Sequence, residues 1–419
     1  MYMKRQIISS ALALSLVLGG AAALPEGAFT ADSAIVAQAK SIQSGDYKYS
    51  LLKDGTAKIV KYKGTDTKVT IPSKIDGKKV TMIGRGAFSL SEKVKSVTIP
   101  KGVTKIGNSA FWGCSNLKSV TIPKGVTKIG ESAFRDCTKL KTITMPDSVK
   151  SIDYYAFVGT KWLENKQKKN ALVIVNDILV DGTTCKGNVT IPKSITKISA
   201  GAFQGCLDVK SVKIPDGVKI IDSLTFTNCP KLKTVTLPDS IKSLGYWAFC
   251  ECENLKSITI PKGVTRIGDS AFAGCSNLKS LTIPKSVKSI EVFAFSRCSS
   301  LKTLKIQNGV TEIGTSAFGE CASLKTVTIP KSVKEIGKAA FYGCTGLKTI
   351  TIQKGVTKID NGAFSGCSSL KTITIPKSVK TISGEGVFEG CSKNLTIKTP
   401  KGSAAAKFAK KNGIKVSYT

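Results

Sequence analysis

Apolar residues return along this chain at one spacing, and a single unit shows it. In "SNLKSVTIPKGVTKIGESAFRDC", Ser115 to Cys137, the apolar positions are Leu117, Val120, Ile122, Val126, Ile129, Ala133, Phe134 and Cys137. Alternation puts Val120 and Ile122 inward and Thr121 outward, the period of a half-buried strand. Pro123 ends that strand, because it has no N–H for a continuing ladder. "KGVTKIG" predicts a second short extended piece with Val126 and Ile129 inward. "ESAFRDC" predicts one helical turn that delivers Ala133, Phe134 and Cys137 to the core.

The unit then repeats. Phenylalanine marks its frame at Phe88, Phe111, Phe134, Phe157, Phe203, Phe226, Phe249, Phe272, Phe295, Phe318, Phe341 and Phe364. Each step is 23 residues, except for the 46 between Phe157 and Phe203, and Phe388 follows 24 after Phe364. One such unit cannot cover its own apolar face, but the next identical unit can, so the period predicts stacked coils. About fourteen coils at roughly 4.8 Å each make a rod of roughly 70 Å.

The pattern is interrupted once and altered at both ends. Between Phe157 and Phe203 the run "ENKQKKN" places Lys166 and Lys168 where Val and Ile belong, and "ALVIVNDILVDG" predicts a hairpin turning at Asn176–Asp177. This reads as a modified coil, 158–188, with a protruding hairpin. "GDYKYSLLKDGTAKIVKYKG" alternates as a hairpin around Asp54–Gly55 and is expected to cap the first coil. "PKGSAAAKFAKKNGIKVSYT" predicts a short helix stopped at Gly413 and a closing strand. The expected organisation is a leader over 1–39, a capping hairpin over 40–76, the solenoid over 77–391 and a C-terminal cap over 392–419.

"LKSVTI" carries the L-x-x-V-x-I strand signature of a leucine-rich repeat. The longer recurring string, L-K-[ST]-[VI]-T-I-P-K-[GS]-V-[TK]-x-I-G-x-x-A-F-x-G-C, resembles the BspA-like leucine-rich repeats of secreted and surface proteins over about residues 68 to 400. The fold expected is therefore a repeat solenoid, a β-rich leucine-rich-repeat right-handed coil with short helical turns, an N-terminal β-hairpin cap and a C-terminal helix–strand cap. The resemblance also implies extracellular, non-enzymatic interaction proteins, some of them adhesins for host matrix or other cells. It supplies no site residues, since the family has no shared catalytic or binding motif.

Targeting and charge narrow the partners. "MYMKRQIISSALALSLVLGGAAAL" has the basic start, apolar run and small residues of a secretory signal peptide, with cleavage after Ala23 or Ala39. No second apolar stretch predicts a membrane span, and no C-terminal sorting signal is recognisable. With 63 basic and 28 acidic residues the net charge is +35, and a cut after Ala39 removes as many acids as bases. Such an excess repels itself and attracts polyanions. Export makes a protein or an anionic glycan or cell-wall polymer the expected partner, with no specific nucleic acid, and a monomer is expected.

Candidate chemistry falls mostly into columns. Eleven of the thirteen cysteines follow a column Phe by three residues, and Thr160 takes that slot in the modified coil. Equivalent cysteines stacked in a column read as small buried hydrophobes ahead of disulfides. Cys185 and Cys250 lie off the column and are expected to be the reactive pair. The chain has no histidine, which excludes His-based triads and His-liganded metals. Ser115–Lys118 and Ser276–Lys279 match S-x-x-K, but they are copies of one repeat position rather than a tuned nucleophile. No enzyme activity and no cofactor or metal are expected.

The lysines carry the candidate surface. Lys118, Lys141, Lys210, Lys233, Lys256, Lys279, Lys302, Lys325, Lys348 and Lys371 follow the Leu position in coil after coil, and a second set including Lys101, Lys124 and Lys193 follows the strand Pro. They read either as solubilising guards of the sheet or as a linear strip that grips a polyanion by counterion release. Beside them "SVT", "TIT" and "TVT" set two ranks of hydroxyls outward, including Thr121, Thr144 and Thr236. Ice binding is a lesser reading of such an array. Finally, Tyr155, Trp247 and Phe293, with Leu224, replace small residues two places before the column Phe. They read as local packing ahead of an aromatic interaction patch. Function is expected to be adhesion or surface interaction through the strand face. The alternative is a passive component held on an anionic wall by charge.

Overall fold

The structure, a computed structural model, describes residues 41–419, so the leader expected over 1–39 lies outside the described residues. The repeated unit makes a three-sided coil, and about sixteen turns stack in all. On the first side the short strands pair in parallel and in register: Ser96–Thr98 with Ser119–Thr121, and that with Thr142–Thr144. On the second side two-residue strands do the same, Lys105–Ile106 with Lys128–Ile129 and then Ser151–Ile152. Register is fixed because a one-residue slip would turn Val120 and Ile129 out to solvent.

The third side differs from the single helical turn read in the sequence. Ala133, Arg135 and Cys137 donate to carbonyls three residues back, whereas Ser132, Phe134 and Asp136 donate to Tyr154, Ala156 and Val158 of the following coil. A helical turn points every amide along its own axis and leaves none for a neighbour. Alternation frees every second amide for the next coil, and it requires left-handed backbone at Ser132 (φ 54°) and Asp136 (φ 59°). In the regular repeats all three sides are thus bonded coil to coil.

The core inside this prism is a column of rings. From Phe88 to Phe157, and again from Phe203 to Phe388, successive Phe centroids lie 5.0–5.8 Å apart with planes within 18°. Tyr62 begins the first column, and Phe408 closes the second edge-on at 6.0 Å. Tyr62 belongs to an antiparallel cap, Tyr47–Leu51 with Ala57–Tyr62, whose last strand pairs in parallel with Lys78–Ile83. Phe408 lies on the helix Ala404–Lys411, which Ser403 caps before Lys415–Tyr418 pairs with Thr396–Thr399.

Between Phe157 and Phe203 the column breaks. Thr160, in the cysteine slot, accepts a bond from the Leu163 amide and starts a helix over Lys161–Lys169. Trp162 from that helix covers Phe157 at 4.7 Å, and Gly182 lies so close over Phe203 that a Cβ would come within 2.5 Å of the ring. Lys166 and Lys168 do not occupy core positions, as the repeat register implied. They sit on the exposed face of the helix, and Val173, Val175 and Ile178 fill the interior instead. Nor does the hairpin protrude whole: its arm Ile178–Asp181 pairs in parallel with Lys197–Ile198 and serves as that coil's second side. No pairing joins Ser151–Ile152 to that arm, and the buried core correspondingly divides into two clusters meeting at Ile178 and Leu179.

Candidate functional site

The first side of the prism carries the basic array. Main-chain bonds run Lys141 to Lys118 to Lys95, and Lys302 to Lys279 to Lys256 to Lys233 to Lys210, each amide donating to the lysine carbonyl of the preceding coil. Lys371 and Lys348 continue to Lys325 in the same way. Lys118, Lys141, Lys233, Lys256, Lys279, Lys302, Lys325, Lys348 and Lys371 are all exposed. Two such charges 5 Å apart repel by about 0.8 kcal/mol in bulk water, and screening by salt reduces this. The hydroxyl ranks lie alongside in strict register, Thr98–Thr121–Thr144 in one block and Thr326–Thr349–Thr372–Thr396 in another, with Thr236 opposite Lys213. Lysines and threonines singled out in the sequence therefore lie on the same side of the coil, in successive blocks.

Trp247 and Phe293 are not on that face. They occupy the turn side two residues before the column Phe, where the backbone is left-handed: Tyr155 (φ 58°), Leu224 (φ 62°), Trp247 (φ 53°) and Phe293 (φ 54°). Other coils put Ser, Ala or Gly there, such as Gly86, Ser132, Gly201, Ser270 and Ala339. Bulky residues in that conformation are outliers that cost of order 1–3 kcal/mol each.

A groove of about 1080 Å³ opens on the second side, beside the break in the ladder. Four lysines and four carboxylates line it, together with Tyr154, Tyr246, Trp247, Leu224 and Ile220. Lys128 pairs with Asp153 at 2.9 Å. Burial lifts the carboxyls of Glu131 and Asp269 above their ordinary range, and Glu291 adds repulsion at Asp269. The groove depends on neighbours far apart in sequence: Tyr154 and Tyr155 hydroxyls both donate to Gln204, and the Ser199 hydroxyl donates to the Ile152 carbonyl at 2.8 Å. Sequence reasoning missed it. The available signal was acids and aromatics in place of Gly or small residues just after the second-side Ile, at Asp153, Asp222, Tyr154 and Tyr246.

The thiols are packing elements that also hydrogen-bond. Each column cysteine but one aims its Sγ at the carbonyl of the Phe one coil earlier, as in Cys137 to Phe111 at 3.0 Å and Cys252 to Phe226 at 2.9 Å; Cys206, which follows the modified coil, bonds the Cys185 carbonyl at 3.2 Å instead. All thirteen are free in the structure. The expectation that Cys185 and Cys250 are the reactive pair is corrected: they are 3% and 6% exposed, and burial pushes both thiols up, Cys185 to about 12. Cys391, the one half-buried thiol, has its pKa lowered by a hydrogen bond from Cys367, and it is the accessible candidate. Denatured, unreduced protein is expected to titrate close to thirteen thiols, with Cys391 alone labelled quickly in the native state. A titre near zero would overturn this. Among the described residues no set of three or more His, Cys, Asp or Glu is placed to hold a metal, and no helix is long and apolar enough to cross a membrane.

A model of the BspA-type leucine-rich repeat region matches residues 62–177, 181–300 and 265–396. Among solved structures, a leucine-rich cell surface protein from Faecalibacterium prausnitzii is 31% identical, with 87% of this chain and 96% of that one covered and a TM-score of 0.41. A leucine-rich repeat protein from Bacteroides ovatus is 28% identical over 90% and 99% of the two chains, with a TM-score of 0.48. One from Eubacterium ventriosum is 24% identical over 84% and 95%, with a TM-score of 0.46. No curated protein matches the chain.

Proposed function

This chain belongs to the BspA-type leucine-rich repeat family, and on that premise we propose that it is an extracellular, non-enzymatic interaction protein whose basic strand face binds macromolecules of a host or neighbouring cell. The observation that carries the reading is the in-register lysine column beside ranks of Ser and Thr hydroxyls. A linear set of cations held by main-chain bonds suits a linear polyanion or an acidic protein surface, because each neutralised charge releases counterions. Hydroxyls beside the ammonium groups supply shorter-range bonds for selectivity. Catalysis has no support from the side chains: no histidine is present, and the Ser–Lys pairs are repeated rather than unique.

Replacing Lys233, Lys256 and Lys279 together by Gln is expected to flatten the slope of log affinity against log salt by about 2, at about 0.7 per contact for a flexible polyanion. Binding to a sulfated glycosaminoglycan across a salt series measures it, and an unchanged slope would reject the strand face. One observation favours a second reading, retention on an anionic wall by charge alone: the lysine column runs through coil after coil without a distinguishing patch. An array of matrix proteins and glycans at two salt concentrations separates the two. Saturable binding to one target that survives the higher salt supports adhesion, and general binding that vanishes there supports passive retention.

A further inference from the structure

We propose that the groove beside the interrupted coil is a second binding site, which takes a neutral oligosaccharide chain laid along the axis of the stack. Its charge sets it apart from the rest of the molecule. The chain has 63 basic and 28 acidic residues, yet the groove is lined by equal numbers of lysines and carboxylates. Balanced charge removes the attraction for polyanions that the strand face has, and suits a ligand with many polar groups and no net charge. The carboxylates can accept from hydroxyl groups and the ammonium groups can donate to them, which are the bonds a polyol makes.

Apolar surface is interleaved with those ions. The Tyr154 hydroxyl donates to Gln204, and the Tyr246 hydroxyl accepts from Arg266, whose guanidinium lies 4.9 Å over the Tyr246 ring, so both phenol oxygens at the lining are partnered. Ile220 is 50% exposed in a column whose neighbours are Lys197 and Ser243. Leu224 and Trp247 put large apolar side chains on the lining from a turn position where other coils carry Gly, Ser or Ala. Polar groups alternating with apolar ledges match the two kinds of surface on a pyranose ring, hydroxyl edges and C–H faces.

Shape and backbone satisfaction argue in the same direction. The lining runs from the coil of Lys105 to that of Asp269, a length of about 34 Å at roughly 4.8 Å per coil, which fits a linear chain. A peptide adding itself as a strand would need free edge groups. At the gap beside Ser151–Ile152 the Ile152 carbonyl is taken by Ser199 and the Lys150 carbonyl by Lys197, and only the second gap, between Lys197–Ile198 and Ile220–Ile221, leaves strand edges facing each other.

The test is titration of the whole protein with a panel of neutral hexasaccharides (β-linked glucose, xylose and N-acetylglucosamine, and mannose), by calorimetry at a salt concentration that abolishes polyanion binding. Saturable binding of at least one, indifferent to salt, is expected. Trp247→Gly should weaken it about tenfold, the size of one aromatic contact, while its melting temperature holds or rises, because Gly already occupies this slot at Gly86, Gly201 and Gly362. Asp269→Asn should weaken it as well. The triple lysine variant should bind like the parent, which separates this site from the strand face whether or not the latter proves functional. The proposal is overturned if no neutral hexasaccharide binds, if only sulfated chains or basic peptides bind in the groove, or if Trp247→Gly and Asp269→Asn both retain full affinity.

Discussion

Phe272→Ala is expected to lower the unfolding free energy by about 3–5 kcal/mol, the usual loss for truncating a fully buried Phe. The upper part of that range applies here. Phe272 is wholly buried between Phe249 at 5.0 Å and Phe295 at 5.1 Å. A cavity costs most where its walls cannot close, and these walls are held apart by main-chain bonds on the second side and the turn side of the coil. The Phe272 amide itself bonds the Ala294 carbonyl at 2.8 Å, and its carbonyl receives the Cys298 thiol. Because each coil meets only its neighbours, the damage should also be local in character. Urea unfolding followed by circular dichroism should show the transition broaden or split, and hydrogen exchange should accelerate first in the coils beside residue 272. A loss below about 1 kcal/mol with a single sharp transition would mean that the ring column does not set stability.

Gly309→Ala is expected to cost still more, above about 4 kcal/mol, and to yield little folded protein. Two effects coincide there. Gly309 has φ of +143°, which side-chain-bearing residues rarely adopt, and a Cβ would stand 1.9 Å from the Lys285 carbonyl oxygen. Neither backbone can retreat, because Thr311 donates to Lys288 and Gln307 to Ile283 across the same pair of coils. Gly205→Ala is the control: its φ is +69° but nothing lies within 4 Å of the added carbon, so about 1 kcal/mol is expected. Thermal melts of the two variants decide the matter. Equal losses would show that backbone conformation alone, and not the close approach, governs position 309.

The repeat itself was readable because a strict period ties each residue to one environment. Once Val120 and Ile122 were placed inward, the positions of Lys118, Thr121, Phe134 and Cys137 followed, and the ladders put their equivalents in file. The turn side was misread as helical because Ser, Ala, Phe and Asp suit a helix equally well. What overrules their propensity is the demand of the next coil for every second amide, a tertiary requirement with no local signature. The modified coil was misjudged because Thr160 looked like a substituted core residue, whereas its hydroxyl caps a helix. The groove left only a faint trace in the sequence, for a different reason. It brings together Tyr154, Ser199 and Gln204, residues that face one another only because the chain between them forms the interrupted coil. The off-column cysteines show the limit of pattern arguments: leaving the file did not bring Cys185 or Cys250 to the surface.

The break at Ile178–Leu179 has an evolutionary consequence. Junctions between regular repeats join the same two faces, so a gene can gain or lose one 23-residue unit by unequal crossover with little redesign of contacts. The junction at the break has no such interchangeable partner. Whole units added to or removed from the far end of either arm would change the reach of the protein without touching the mouth between them.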